Sequence, residues 1–232
     1  MPFDSQDTAL KMKIGAQPMA LAHVTQQPFP KLSYAAIGKR AFDVALVLLS
    51  LPFVIPVIAL MALLVALDGH SPFYTQARVG RHGRQFRMLK IRTMVHNADA
   101  MLAKCLEQDA ALRAEWDATQ KLKKDMRITR IGRILRKTSL DELPQLFNVL
   151  TGSMSLVGPR PMMPSQEELY PGRSYYRLRP GITGFWQISD RNHCDFRDRS
   201  KYDAVYEREL SLVTDLAVMW RTFSVVLRGT GY

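Results

Sequence analysis

The chain has 232 residues, enough for one domain of ordinary size, with 32 Lys and Arg residues against 21 Asp and Glu. The net charge of +11 predicts an anionic partner, such as nucleic acid, a phosphorylated substrate or an acidic lipid surface, and 47% hydrophobic residues exclude a disordered chain. Cys105, Cys194 and five scattered His residues provide neither a zinc-ligand set nor a disulfide framework.

Residues 1–38 contain scattered prolines without hydrophobic periodicity, so we expect a flexible N-terminal tail. Residues 41–67 form the strongest apolar segment, which as one helix would be about 40 Å long, against roughly 30 Å for the bilayer core. Pro52 and Pro56 lie near its middle, where each removes a backbone hydrogen bond. Basic residues flank both ends, which is typical of the cytoplasmic side. The pattern predicts that residues 39–70 form a re-entrant helix-break-helix. A helix that spans the membrane is the alternative.

The rest of the chain, residues 71–232, has the character of a soluble domain. Residues 71–75 and 85–90 predict two short strands joined by a glycine-containing turn. Asn97 predicts the N-cap of a helix that continues to about Lys124.

Two further segments have the spacing of helices, but the sequence does not decide what these helices contact. Residues 121–137 combine many basic side chains with isoleucines at helical spacing, which fits a helix on an anionic membrane or the solvated face of a core helix. Residues 212–227 carry an apolar helical face with a tryptophan, which fits a membrane interface or core packing equally well.

Asp141 and Glu142 are the first candidates for chemistry. Ser139 and Glu142 have the spacing of a capping box, which is the structural interpretation of this segment. The two acids directly follow the basic segment, where an anionic substrate would gather, and this position favours a chemical role.

Four basic residues are candidates for binding that anion. Arg160 lies between two prolines that fix the backbone on both sides, so its planar guanidinium can be held for bidentate contact with phosphate. Arg179 precedes a Pro-Gly turn, and Lys90 and Arg92 lie two residues apart. No GxxxxGK[ST] or GxGxxG motif occurs, which argues against an ATPase or a dinucleotide enzyme.

Taken in order, the motifs are specific. They are Lys39-Arg40-Ala41-Phe42-Asp43, Lys90-Ile91-Arg92-Thr93-Met94, Ser139-Leu140-Asp141-Glu142-Leu143-Pro144-Gln145-Leu146, Val157-Gly158-Pro159-Arg160-Pro161 and Arg179-Pro180-Gly181-Ile182-Thr183-Gly184. With the proline-containing apolar segment they closely resemble the bacterial sugar transferase family, the monotopic phosphoglycosyl transferases, from about Lys39 to the C-terminus. The compact size and the ending at residues 228–232 look like members that start exopolysaccharide repeat units.

The resemblance implies transfer of a sugar 1-phosphate from a UDP-sugar to undecaprenyl phosphate, releasing UMP. It implies that Asp141 is the nucleophile on the β-phosphate and that Glu142 helps to hold Mg²⁺. Arg160 would bind phosphate oxygens, with Lys90, Arg92 and Arg179 as further phosphate-binding candidates. Asp215 matches an acid that lies near the site in the family.

The basic flanks and the central prolines of the apolar segment predict an α+β fold, in which a re-entrant membrane helix, a small β-hairpin and interfacial amphipathic helices surround one cytosolic site. The expected parts are the tail, residues 1–38; the membrane helix, residues 39–70; and a cytosolic catalytic domain, residues 71–232. The expected location is the cytosolic face of the bacterial inner membrane. The expected partners are the UDP-sugar, undecaprenyl phosphate and membrane lipid, without nucleic acid and with a homo-oligomer left open.

Two positions depart from the family pattern. Ile55-Pro56 replaces the frequent Ser-Pro pair at the membrane break, and residues 152–155 read Gly-Ser-Met-Ser where the family often has Gly-Asp-Met-Ser. The acid of that second motif is therefore not available as a metal ligand.

Three other functions remain to be weighed. A polytopic transferase needs more apolar segments than the sequence contains, and a nucleic-acid binder leaves the apolar segment without a role. A non-catalytic membrane adaptor explains the charge and the anchor but assigns no role to Asp141, Glu142 and Arg160. The sequence does not identify the sugar; galactose and glucose are the leading expectations by family analogy.

Overall fold

The computed structural model describes residues 34–119, 122, 124–189 and 196–227. In chain order the helices and strands are α1 (Lys39–Ala66), β1 (Phe73–Val79), β2 (Gln85–Ile91), α2 (Ala98–Gln108), α3 (Ala110–Thr119), α4 (Arg130–Thr138), α5 (Gln145–Thr151), β3 (Ser155–Val157), α6 (Ser174–Arg177), β4 (Gly181–Thr183), α7 (Arg199–Arg208) and α8 (Leu212–Leu227). Helices with two two-stranded sheets, β1–β2 and β3–β4, confirm the mixed α and β composition.

The apolar segment folds as one long helix. Helix α1 continues through Pro52 and Pro56, so the expected interruption of the helix is absent. A proline removes one backbone bond, but helical dihedral angles can continue on either side of it. Helix α1 and the preceding turn together form the stretch Tyr34–Ala66. Among the described residues this stretch is long and apolar enough to cross a membrane, and only 11% of its most apolar window is buried.

The predicted tail is only partly described. Its last residues, Tyr34–Gly38, form a π-helical turn that leads directly into α1, so helical structure begins before residue 39. Residues 1–33, two lysines of the basic segment at positions 121 and 123, and the ending at residues 228–232 lie outside the described residues.

The helix predicted from Asn97 to Lys124 is divided in two. Asn97 has a left-handed φ of 60° and makes no side-chain capping bond. Asp109 interrupts the helix, because its carboxylate accepts hydrogen bonds from the backbone N–H groups of Ala111 and Leu112, at 2.8 and 3.1 Å, and so caps α3. The predicted start of the helix is confirmed, since Asn97 is its N-cap residue, but the helix ends at Gln108 and not near Lys124.

The chain divides into two compact units, and α1, β1 and β2 each contribute residues to both. Within the described residues, the first unit contains 34–52, 76–88, 145–189 and 196–227. Its main core is built from α1, α5, β3, α7 and α8, with Val47, Met88, Val149, Met154, Leu156, Val157, Leu178, Phe185, Tyr202, Val205, Tyr206 and Val218.

Two glycine-containing motifs meet in the first unit. Strands β3 and β4 pair in parallel, with Ser155 opposite Gly181. A Cβ atom on Gly158 would overlap the carbonyl oxygen of Arg179, and one on Gly181 would overlap the backbone of Gly158. The glycines let the two backbones approach, and the contact fixes the segment that carries Arg160.

The second unit contains residues 53–75 and 89–144. Its core includes Val65, Ile91 and Leu135. The side chain of Thr129 caps α4 by accepting from the N–H of Gly132 at 2.8 Å. The predicted basic helix is therefore α4, and it begins only at Arg130.

Candidate functional site

Asp141 and Glu142 lie in a single 3-10 turn, Leu140–Glu142, directly after α4. Ser139 has a left-handed φ of 57° and its side chain makes no capping hydrogen bond. The N–H of Glu142 instead donates to the carbonyl oxygen of Ser139 at 3.2 Å. The capping-box interpretation is therefore wrong, and the two acids are not explained as a helix cap.

Asp141 is a buried carboxyl group, with 8% of the residue exposed. Burial raises its pKa to about 6, and the neighbouring Glu142 raises it further, while Lys90 and Arg136 act in the opposite direction. A carboxylate in this setting is ionised at neutral pH but is only weakly stabilised as an anion. Such a group is suited to form a bond with an electrophile.

Lys90 lies on β2 and binds the second acid of the pair. Its Nζ donates to Oε1 of Glu142 at 2.6 Å, and both side chains remain partly exposed. Lys90 therefore has two effects, since it holds Glu142 directly and its charge favours the ionised form of Asp141. The structure thus brings together three of the residues predicted from the sequence, Lys90, Asp141 and Glu142.

Arg136 is a neighbour of the acids that was not singled out in the sequence. Its Nε donates to Oγ1 of the buried Thr93 at 2.9 Å, and its charge lowers the pKa of Asp141. The signal for it was present, since Arg136 ends the basic helix just before the two acids. It was hidden among several other basic residues of similar spacing.

Arg92, a predicted phosphate-binding residue, makes several contacts within the fold. Its guanidinium forms a two-pronged ion pair with Asp68, at 2.6 and 2.7 Å, and also donates to the carbonyl oxygens of Val65, Ser71 and Met94. These contacts tie the segment that follows α1 to the end of β2. With its donors engaged in this way, Arg92 does not fit a phosphate-binding residue.

The donor set around Asp141 fits a magnesium ion only in part. In the described part of the chain no three His, Cys, Asp or Glu side chains are grouped to hold a metal. Two adjacent carboxylates do suit Mg²⁺, because this ion prefers oxygen ligands and often completes its shell with water and substrate phosphates. The residues therefore fit a metal shared with a phosphorylated substrate and do not form a closed protein site.

Arg160 lies in the first unit and is exposed. Its guanidinium is 5.4 Å from the ring centroid of Trp186, and that of Arg199 is 4.2 Å from the same centroid. Arg199 also lies 4.5 Å from the ring centroid of Phe196. The predicted phosphate-binding arginine is therefore one of a pair held on a tryptophan ring.

Arg179 is half-buried and partly used in structure. Its Nε donates to the carbonyl oxygen of Gly152 at 3.0 Å. Burial lowers its pKa, and the nearby Arg81 and Arg40 lower it further. Arg179 therefore supports the chain around β4 and adds to a basic cluster, and the charge of Asp43 acts on its pKa in the opposite direction.

Asp215 has no exposed surface and serves as an anchor for α1. Its carboxylate accepts hydrogen bonds from Lys39 at 2.7 Å, Tyr34 at 2.6 Å and Tyr206 at 2.7 Å. These contacts join the start of α1 to α7 and α8. A side chain buried in this way does not fit the predicted place of Asp215 among the substrate-binding residues.

Comparison with known proteins matches residues 34–229 to the model of the bacterial sugar transferase family. The chain is 46% identical to a UDP-galactose-lipid carrier transferase of Erwinia amylovora over 83% of the chain and 41% of that relative. It is 43% identical to the exopolysaccharide production protein ExoY of Sinorhizobium fredii, over 84% of the chain and 88% of the relative. It is 36% identical to a UDP-glucose:undecaprenyl-phosphate glucose-1-phosphate transferase of Caulobacter vibrioides, over 86% of the chain and 73% of the relative. The chain spans about two fifths of the first of these relatives and most of the second.

Proposed function

We propose that this chain, which belongs to the bacterial sugar transferase family, transfers a sugar 1-phosphate from a UDP-sugar to undecaprenyl phosphate and so starts an exopolysaccharide. The names of the relatives support the reaction class, since they include galactose and glucose-1-phosphate transferases that act on undecaprenyl phosphate. ExoY, which has a length similar to that of this chain, supports the link to exopolysaccharide. Galactose and glucose are both candidates for the sugar.

The buried carboxylate of Asp141 carries the mechanistic part of the proposal. An oxygen of Asp141 attacks the β-phosphorus of the UDP-sugar, the bond from that phosphorus to the bridging oxygen breaks, and UMP leaves. A phosphate oxygen of undecaprenyl phosphate then attacks the same phosphorus and releases the carboxylate. The raised pKa of about 6 supports this role, because the group is ionised at neutral pH in a setting that stabilises its charge poorly.

Neighbouring charges support the assignment. Lys90 and Arg136 favour the ionised carboxylate and provide positive charge near an attacking anion and a negative substrate. The exposed Arg160, fixed between two prolines, is suited to bind phosphate oxygens in two-pronged geometry. Glu142 would help to hold Mg²⁺, and when bound the ion would neutralise charge on the diphosphate.

The membrane is the proposed place of action. The long apolar helix α1 would insert from the cytosolic face of the bacterial inner membrane, since basic residues flank it on both sides. Exposed apolar side chains on α8, including Val213, Trp220 and Phe223, and the exposed Ile134 on the basic helix α4 would rest on that surface. In this proposal α1 re-enters the membrane, so that both of its ends lie on the cytosolic side, and a full span is the alternative.

Transfer of radiolabel from UDP-galactose or UDP-glucose into an organic-extractable lipid tests the function directly. We expect transfer by the purified full chain with undecaprenyl phosphate and Mg²⁺, and its loss on addition of EDTA. A non-catalytic membrane adaptor would give no labelled lipid with any UDP-sugar. Transfer that resists EDTA would keep the reaction and remove the metal from the proposal.

A further inference from the structure

Arg199 lies on the Trp186 ring that Arg160 also faces, although the two arginines are far apart in sequence. Phe196 lies near the same guanidinium, so aromatic rings hold Arg199 in one place. All of these residues belong to the first compact unit, so the arrangement is internal to it. A ring that attracts cations lets two like charges lie close together.

The guanidinium groups of this cluster influence one another. Burial and, to a smaller degree, the charges of Arg160 and Arg78 together lower the pKa of Arg199 to about 10, as expected for guanidinium groups that repel one another. Asp203 is the carboxylate that opposes this effect. Asp203 is itself buried, it accepts a hydrogen bond from Tyr170 at 2.7 Å, and burial raises its pKa to about 7.

The backbone around the cluster is fixed, which makes the arrangement specific. Pro159 and Pro161 restrict the chain on both sides of Arg160. The close approach of Gly158 to the backbone of Arg179 holds the same segment against the neighbouring motif. Arg199 begins α7, where Tyr202, Val205 and Tyr206 pack into the main core. Two guanidinium groups on rigid elements form a binding site with little loss of side-chain freedom on binding.

We infer that Arg199, ordered by Trp186, is a second phosphate-binding residue beside Arg160, and that this pair takes one phosphate or diphosphate group of a substrate. The inference rests on the proposed function for its ligand. A guanidinium pair fits a doubly charged phosphate better than a carboxylate or a chloride, because it offers several N–H donors in planar forks. The phosphate can come from the nucleotide donor or from the lipid acceptor, and the test has one arm for each.

Binding of UMP and of a short-chain prenyl phosphate, measured separately by calorimetry on the detergent-solubilised full chain, tests the inference. We expect Arg199→Gln to weaken binding of one of these probes by about tenfold or more, as for loss of a charge-assisted contact. Loss in the UMP arm assigns the pair to the nucleotide, and loss in the prenyl phosphate arm assigns it to the acceptor.

Matched variants separate binding from folding. Arg199→Lys keeps the charge but not the planar fork, so we expect partial binding, and Trp186→Phe should retain more binding than Trp186→Leu. Arg197→Gln is the control, because Arg197 is exposed and lies two residues away. Thermal melting checks that each variant is folded.

The inference is overturned if folded Arg199→Gln binds both probes as tightly as the parent chain, or if Arg197→Gln weakens binding equally. Loss of binding with Trp186→Phe equal to that with Trp186→Leu would remove the ordering role of the ring. Failure of the parent chain to transfer sugar phosphate from any UDP-sugar is a separate result and would refute the proposed function. If the parent chain transfers sugar phosphate but binds neither probe measurably, the effect of Arg199→Gln on the KM of each substrate takes the place of calorimetry, and unchanged KM values overturn the inference.

Discussion

At the scale of single residues, the environment of Asp141 fits its proposed role as nucleophile and lowers the stability of the fold. Only 8% of Asp141 is exposed, and its pKa is about 6 because burial stabilises the ionised carboxylate poorly. Lys90 and Arg136 compensate the charge only in part. Residues of this kind are common at functional sites, where stability is given up for reactivity.

Asp141→Asn should abolish transfer and leave the folded chain equally or more stable. The folded-state pKa of Asp141 is raised from 3.8 to about 6, so its contribution to stability is fully present below the unfolded pKa and is lost as pH rises through 6. At pH 8 the ionised group then costs up to about 3 kcal/mol. Melting temperatures at pH 4 and pH 8 check this, and a variant that is less stable at pH 8 contradicts it.

Lys90→Met should move the acid limb of the pH–rate profile to higher pH. The charge of Lys90 lowers the pKa of Asp141, so its removal raises that pKa and a larger fraction of the nucleophile is protonated near neutrality. Initial rates between pH 5 and 9 measure the shift. Arg87→Met, an exposed position on the same strand, is the control. An unchanged acid limb in Lys90→Met would show that Asp141 is not the titrating group.

At the scale of elements, the sequence predicted which segments are helices or strands better than it predicted where each one begins and ends. The paired strands, the basic helix and the last helix follow from period and composition, and the structure has all of them. The division at Asp109 was missed because its carboxylate caps a second helix, which apolar periodicity does not reveal. The unbroken α1 was missed because prolines were expected to end the helix and not only to remove a bond.

The candidate site was also predicted only in part. Lys90, Asp141 and Glu142 are neighbours, because Lys90 on β2 lies beside the turn that carries the two acids. Arg92 and Asp215 were assigned by motif alone, and their partners, Asp68 for the first and Lys39 with two tyrosines for the second, lie far along the chain. Arg199 was missed for the same reason, since only the fold brings it to Trp186.

Gly158→Ala should destabilise the first unit more than an ordinary glycine substitution. Its new Cβ would overlap the backbone carbonyl of Arg179, which cannot rotate away, and the cost should be at least about 3 kcal/mol. Gly69→Ala is the control, because it meets no atom within 4 Å and pays only for a left-handed φ of 81°, about 1–2 kcal/mol. Urea unfolding compares them, and equal costs would contradict the packing argument.

At the scale of the whole molecule, charge and the apolar helix act together. The net charge of +11 suits an anionic lipid surface and the phosphorylated substrates of the proposed reaction. Basic residues on both sides of α1 place both of its ends on the cytosolic face in the proposal. The adaptor function explains these features equally well, so only the chemistry of Asp141 separates the two.

Cysteine labelling of intact cells tests the topology. Single cysteines at positions 31 and 71, in a chain with Cys105 and Cys194 replaced by Ser, should be inaccessible to a membrane-impermeant reagent from the periplasm and become labelled after the cells are opened. This result is expected because basic flanks favour the cytosolic side. Periplasmic labelling of either position would mean that α1 spans the membrane.

Mass spectrometry of the full chain incubated with the UDP-sugar alone, without lipid acceptor, tests the central claim most directly. The account predicts a mass increase of one sugar phosphate on the peptide that contains Asp141, release of UMP, no adduct in Asp141→Asn, and parallel initial-rate plots for the complete reaction. A chain that transfers sugar phosphate to lipid but forms no adduct at Asp141, with initial-rate plots that intersect, would contradict it and would indicate direct transfer in a ternary complex.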